Sequence, residues 1–270
     1  MNLKELSGHR RPASALTSHR HKRQCRLPNK VSILGVSIDN LSAHELLQQL
    51  DRGVVFTPNV DHVMKLRKDP SFAAAYKKAD FRVCDSQILM YAAKFLKTPL
   101  KEKISGSDFF PIFCDYHKSN EAIKIFILGG AHGVPQKAQE NINDRIGREI
   151  VVGAHSPSFE FEQDPTENER LLNLIRQSGA NVVVVCLGTP KQEKWIAKHC
   201  DHLPGVDILM GVGATVDFEA GSKRRAPQWL SELGLEWLWR LMIEPRRLWK
   251  RYILDDLPFI WLLLRQRLTQ

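Results

Sequence analysis

Two stretches constrain this chain more than anything else in it. Ile123–Leu128 and Val182–Leu187 are almost continuously apolar. A strand without a polar face must be covered on both sides, which is the situation of strands in a parallel sheet flanked by helices. Further strand candidates lie at 31–37, 53–57, 81–84, 150–153 and 207–212, separated by amphipathic segments. Two of those segments open with capping-box patterns, Ser42 with Glu45 and Thr166 with Glu169. Strand–helix alternation with right-handed crossovers predicts a doubly wound, Rossmann-like α/β fold with a mostly parallel sheet.

The charge divides the chain into three parts. Residues 1–30 hold eight Lys/Arg against one acidic residue, and residues 223–270 hold ten against five. With a net charge of +9, this leaves about −3 for residues 31–222. The expected organisation is therefore a disordered basic tail over 1–30, an α/β domain over 31–222 and a helical appendage over 223–270. The appendage carries five of the six Trp residues (Trp229, Trp237, Trp239, Trp249 and Trp261), interleaved with basic side chains and broken by Pro245 and Pro258. Basic ends on a nearly neutral body suit an anionic surface. Arg246, Lys250 and Arg251 beside Trp249 suit an interfacial helix resting on lipid headgroups, although the same pattern fits an amphipathic helix packed on the body.

Other classes are disfavoured. The five cysteines (Cys25, Cys84, Cys114, Cys186 and Cys200) are scattered, with no C-x-x-C pair, which points away from zinc or a disulfide framework and toward a reducing cytosol. No apolar run reaches the length of a bilayer span, and the N-terminus lacks an apolar signal region. No nucleic-acid-binding module is recognisable.

In open α/β sheets ligands bind beyond the carboxyl ends of the strands, and four such ends are conspicuous. Thr57-Pro58-Asn59 follows one strand, and Asn59 suits either a helix cap or hydrogen bonding to a sugar. Asp85 ends another, again either as a cap or as a carboxylate able to take a proton from an attacking hydroxyl. Gly129-Gly130-Ala131-His132-Gly133 would let backbone amides approach a diphosphate. It is not G-x-G-x-x-G, and the next strand ends in Gly153-Ala154-His155 without the acidic residue that holds an adenosine ribose, which argues against a dehydrogenase. Gly188-Thr189-Pro190-Lys191-Gln192-Glu193 reads as a capping box with Thr189 as cap and Gln192 at N3, and Gln192 also suits the reading of hydroxyl groups. Arg240 and Arg247, seven residues apart, share a helix face if the helix bends little at Pro245.

In this order, the segments resemble the WecG/TagA/CpsF family of bacterial glycosyltransferases (glycosyltransferase family 26). The resemblance runs through Thr57-Pro58-Asn59, Ala79-Asp80 with Cys84-Asp85, and Ser105-Gly106-Ser107-Asp108. It continues through Leu128-Gly129-Gly130, Gly188–Glu193, Gly211-Val212-Gly213-Ala214 and Asp217-Phe218 with Ala220-Gly221. It ends through Arg225-Ala226-Pro227, Gly234–Trp237 and Glu244–Arg247. It implies an inverting transferase, peripheral on the cytoplasmic face of the membrane. The reaction would take a sugar of the N-acetylmannosamine type, or a related hexose, from a UDP-sugar to a polyprenyl-diphosphate-linked saccharide in cell-surface polysaccharide synthesis. By the same resemblance Asp85 is the general base, and Thr57, Asn59 and Gln192 are pocket residues. Lys103 stands where Arg is more usual, keeping the charge but losing bidentate phosphate geometry. Lys103, the amides at Gly129 and Gly130, Arg240 and Arg247 would hold the departing diphosphate. No metal is expected, nor any cofactor besides the UDP-sugar itself. A homo-oligomer is compatible with the sequence, and the competing reading is a catalytically silent nucleotide- or lipid-binding module of the same fold.

Overall fold

The computed structural model describes residues 29–223, 225–227, 230, 235–250 and 256–269, without the side chains of Glu236, Arg240 and Arg247. The basic tail before residue 29 lies outside the described residues, as does Arg251.

The central sheet has six parallel strands: β3 (Gly53–Phe56), β4 (Phe81–Arg82), β5 (Ile125–Gly129), β6 (Val151–His155), β7 (Val182–Cys186) and β8 (Ile208–Gly211). Their spatial order is β4-β3-β8-β7-β5-β6. Alternate residues feed two apolar cores. Val55, Ile125, Ile127, Val182, Val184 and Met210 pack with α1 (Ala43–Gln49), α5 (Gly106–Tyr116), α6 (Val134–Ile146) and α9 (Thr215–Glu219). Val54, Phe56, Phe126, Leu128, Val183 and Val185 pack on the opposite face with α3 (Pro70–Tyr76), α7 (Pro165–Ser178) and α8 (Lys191–His199). Both faces are thus covered, as the unbroken apolar runs require.

The first apolar run does not join this sheet. Residues 30–39 form an antiparallel hairpin, β1 (Lys30–Ile33) with β2 (Val36–Asp39). Its turn places Leu34 and Gly35 at φ +50° and +84°, the left-handed pair that matches the twist of two-residue hairpins. One predicted cap forms and one moves. Ser42 and Glu45 make the reciprocal capping box of α1. In α7 the cap is Asp164, with Pro165 in the first turn, so Thr166 and Glu169 make no box. An Asp directly before a Pro at N1 is the stronger start signal, because the ring presets φ and no amide is lost.

A third core lies under the hairpin, between it, α2 (Val60–Lys68) and α4 (Gln87–Phe95). The final helix, α12 (Pro258–Thr269), closes this core: Phe259 is buried there, and Leu262 and Leu263 pack alongside. Gln266 fastens it, accepting from Leu34 N–H at 2.8 Å and donating to the Ser32 carbonyl at 3.2 Å. Preceding it in the C-terminal segment are α10 (Glu236–Ile243) and α11 (Pro245–Trp249). No helix among the described residues is long and apolar enough to cross a membrane.

Candidate active site

The connections after β3 and β8, neighbours at the middle of the sheet, leave to opposite faces. The chain from β3 passes through α2 and α3 toward one core, while that from β8 enters α9 against the other. Such a divergence opens a crevice at the carboxyl ends of the strands. The crevice here is lined by Thr57, Asn59 and His62 beyond β3, Asp85 beyond β4, Gly188, Thr189 and Gln192 beyond β7 and Val212 to Thr215 beyond β8. Gly106 and Ser107 from α5, Phe218 from α9 and Leu248 from α11 complete its walls.

Asp85 meets the cleft without capping a helix. Ser86 is the cap of α4, its hydroxyl accepting from Leu89 N–H, and Asp85 lines the cleft. The Asp85 backbone amide donates to the Pro58 carbonyl at 2.9 Å, which ties it to the segment carrying Thr57 and Asn59. Asn59 fills both of its predicted parts. Its side-chain oxygen caps α2 by accepting from His62 N–H at 3.2 Å, and the residue lines the cleft. Thr57 is buried and its hydroxyl donates to the Gly211 carbonyl, joining β3 to β8 across the crevice floor.

The turn before α8 differs from its expected form. Pro190, not Thr189, is the cap residue, and it makes no side-chain cap. The Thr189 hydroxyl instead lies 2.5 Å from His62 Nε2 and 3.3 Å from Glu193 Oε1. Gln192 does not reach back to the cap; its amide joins Glu193 Oε1 at 2.7 Å and accepts from Gly213 N–H at 3.1 Å. Burial pushes the Glu193 carboxyl up to about 7, partly offset by hydrogen bonds from Gln192 and Thr189.

The remaining expected site residues lie elsewhere. Gly129 and Gly130 end β5 but do not line the cleft. Gly129 has φ +116°, and a Cβ there would stand 2.4 Å from the Cys186 carbonyl oxygen, so it is glycine to let β5 approach β7. At Gly130 the nearest obstacle is Val216 of α9, at 3.0 Å. Lys103 does not line the cleft either. It precedes Ile104, whose amide donates to the Cys84 carbonyl at 2.6 Å, so it runs beside the strand end that carries Asp85. Arg240 falls in α10 and Arg247 in α11, and their side chains lie outside the described residues. Arg246, Trp249 and Lys250 are exposed, and Met242 and Ile243 are exposed nearby.

Several cleft residues were not singled out by motif. His62 carried no local signal, and Glu193, which lies behind the cleft wall, stood only as the last residue of the Gly188–Glu193 segment. Gly106 is one of the segments that bear the family resemblance, and its role is steric: a Cβ would lie 2.8 Å from Val212, so only glycine lets α5 start against the loop beyond β8. Arg225 donates to Asp108 at 2.9 Å and sits 5.3 Å from the ring of Phe218, bringing a cation to the cleft's edge. Among the described residues, no group of three or more His, Cys, Asp or Glu is placed to hold a metal ion.

The profile of the Glycosyl transferase WecG/TagA/CpsF family matches residues 31–270. An N-acetylglucosaminyldiphosphoundecaprenol N-acetyl-beta-D-mannosaminyltransferase of Staphylococcus aureus (strain NCTC 8325 / PS 47) is 27% identical over 231 residues, covering 82% of this chain and 86% of that protein.

Proposed function

The chain belongs to the WecG/TagA/CpsF family of glycosyl transferases, and from that premise we propose that it moves a sugar from a UDP-sugar onto a polyprenyl-diphosphate-linked saccharide, with inversion. The observation that carries the reading is the Asp85 carboxyl in a cleft walled by Thr57, Asn59 and Gln192. The relative's lipid-diphosphate acceptor and N-acetylmannosaminyl product support the choice of substrates.

In this reading the acceptor hydroxyl attacks the anomeric carbon of the donor from the side opposite the diphosphate. The carbon–oxygen bond to UDP breaks, UDP leaves with the electron pair, and Asp85 takes the hydroxyl proton as the new glycosidic bond forms. Thr57, Asn59 and Gln192 hold sugar and phosphate oxygens. Arg240 and Arg247 stabilise the leaving diphosphate by charge, and Lys103, outside the cleft wall beside the strand end that carries Asp85, adds a cation at longer range. Gly129 and Gly130 drop out of this set because they lie outside the cleft, where close packing against Cys186 and Val216 accounts for them.

The exposed Arg246, Trp249 and Lys250, with Met242 and Ile243 alongside, support a peripheral seat on the cytoplasmic face of the membrane, where a lipid-linked acceptor would be met. The test is UDP release from a panel of UDP-sugars with a synthetic lipid-diphosphate-sugar acceptor. Asp85→Asn should lower kcat by about 10²–10⁴-fold while UDP binding persists. Full turnover by that variant refutes the base assignment, and no release by wild type with any pair refutes the transfer reading.

A further inference from the structure

Glu193 has no part in the chemistry just described. It is 0% exposed and does not line the cleft, although its neighbours Thr189 and Gln192 do. A chain of hydrogen bonds runs from it to α3. Glu193 Oε1 lies 2.7 Å from Gln192 Nε2 and 3.3 Å from Thr189 Oγ1. Thr189 Oγ1 lies 2.5 Å from His62 Nε2, and His62 Nδ1 lies 2.5 Å from the Tyr76 hydroxyl. The imidazole is wedged edge-on between Phe72 and Tyr76, at interplanar angles of 86° and 88°.

One polarity gives each of these hydrogen bonds a donor and an acceptor. The Tyr76 hydroxyl donates to Nδ1, the hydrogen on Nε2 goes to Thr189, and the Thr189 hydroxyl donates to Glu193. Burial, and then the charge of Glu193, hold the Tyr76 hydroxyl well above its ordinary pKa, so it keeps the proton it donates. The two ends of an amide are told apart by their partners. Gln192 has a backbone N–H from Gly213 at its oxygen and a carboxyl oxygen at its nitrogen, so only one orientation fits.

We propose that Glu193 is a positioning residue that acts through Gln192: by accepting one amide hydrogen, it presents the other to the cleft, so that Gln192 recognises an acceptor oxygen of the donor sugar nucleotide. Gly213 holds one end of the amide and Glu193 the other, beneath the ligand and out of its reach. The nature of the ligand rests on the UDP-sugar reading; the positioning does not.

The experiment compares Glu193→Gln with Glu193→Leu in the full chain. Gln keeps an oxygen where Oε1 stands, and KM for the UDP-sugar should stay within about threefold of wild type. Leu removes the acceptor and should raise KM about tenfold with a smaller change in kcat, the scale of one lost hydrogen bond. Gln192→Leu should raise KM comparably, and the double variant should add little, because both act at one contact. An unchanged KM in Glu193→Leu overturns the proposal, as does full additivity in the double variant.

A readout independent of turnover separates the two claims. The Gln192 side-chain amide should be protected from hydrogen exchange in wild type and Glu193→Gln, and lose that protection in Glu193→Leu. If wild type releases no UDP, the UDP-sugar reading fails, and the exchange result alone decides the positioning. Should Glu193→Leu not fold, Gly211→Ala takes its place, since a Cβ there would press on Gln192 Nε2 from 3.2 Å. A KM unmoved by that displacement would equally refute the proposal.

Discussion

Replacing Glu193 with Gln should change how the protein's stability responds to pH, and the size of the change follows from burial. The carboxyl is 0% exposed, and its Oε2 has no hydrogen-bond partner among the described residues. Burial raises its titration from 4.5 to about 7, against the opposing pull of Gln192, Thr189 and Lys65. Between those limits the folded chain keeps a proton that the unfolded chain has released, so stability falls as pH rises through the interval. Across roughly 2.5 pH units at about 1.4 kcal/mol each, the loss is about 3 kcal/mol, absent below pH ~4.5 and complete above pH ~7.

Glu193→Gln has nothing to titrate at this position. The measurement is urea unfolding of both proteins at several pH values from 4.5 to 8. Wild-type stability minus that of the variant should drop by about 3 kcal/mol over that range, a relative midpoint shift of about 1 M urea. Taking the difference cancels the groups remote from Glu193, while His62, whose Nε2 lies 3.8 Å from Glu193 Oε1, titrates with it. Parallel curves, or a difference that grows with pH, would refute the reasoning.

Three further outcomes are expected. Gly129→Ala should destabilise the fold by about 2 kcal/mol or more, read from denaturant midpoints, because its Cβ would meet the Cys186 carbonyl at 2.4 Å with φ at +116°. UDP release by the wild-type enzyme should persist in excess EDTA; loss restored by Mg²⁺ would overturn metal independence. Arg246→Glu with Lys250→Glu should weaken flotation with anionic vesicles by at least ~30-fold at low salt, since each cation near such a surface contributes about 1 kcal/mol, while turnover on a short-chain soluble acceptor stays close to wild type.

What the sequence disclosed depended on how local each determinant was. Val182–Cys186 is apolar on both faces, so its central place in a covered sheet was legible. The run at 31–37 looked like one more strand, but the left-handed turn at Leu34 and Gly35 folds it back into a hairpin outside the sheet. Asn59 and Asp85 offered the same two readings, cap or ligand, and a neighbour decided between them: Ser86 took over the capping beside Asp85, while Asn59 kept both parts. Gly129 was legible as a residue needing backbone freedom, but the reason is the carbonyl of a strand 57 positions away in sequence, at Cys186. The pairing of His62 with Glu193 was illegible, because it runs through Thr189, 127 residues from His62.

The docking of α12 on the β1–β2 hairpin has a consequence for how the protein comes into being. On a ribosome the hairpin emerges well before the helix that covers its core, since 232 residues separate Leu34 from Gln266. Until Phe259 and Gln266 arrive, the apolar residues of α2, α4 and the hairpin await their cover. A nascent or clipped chain ending before Pro258 would carry that uncovered surface, a ready target for chaperones and proteases.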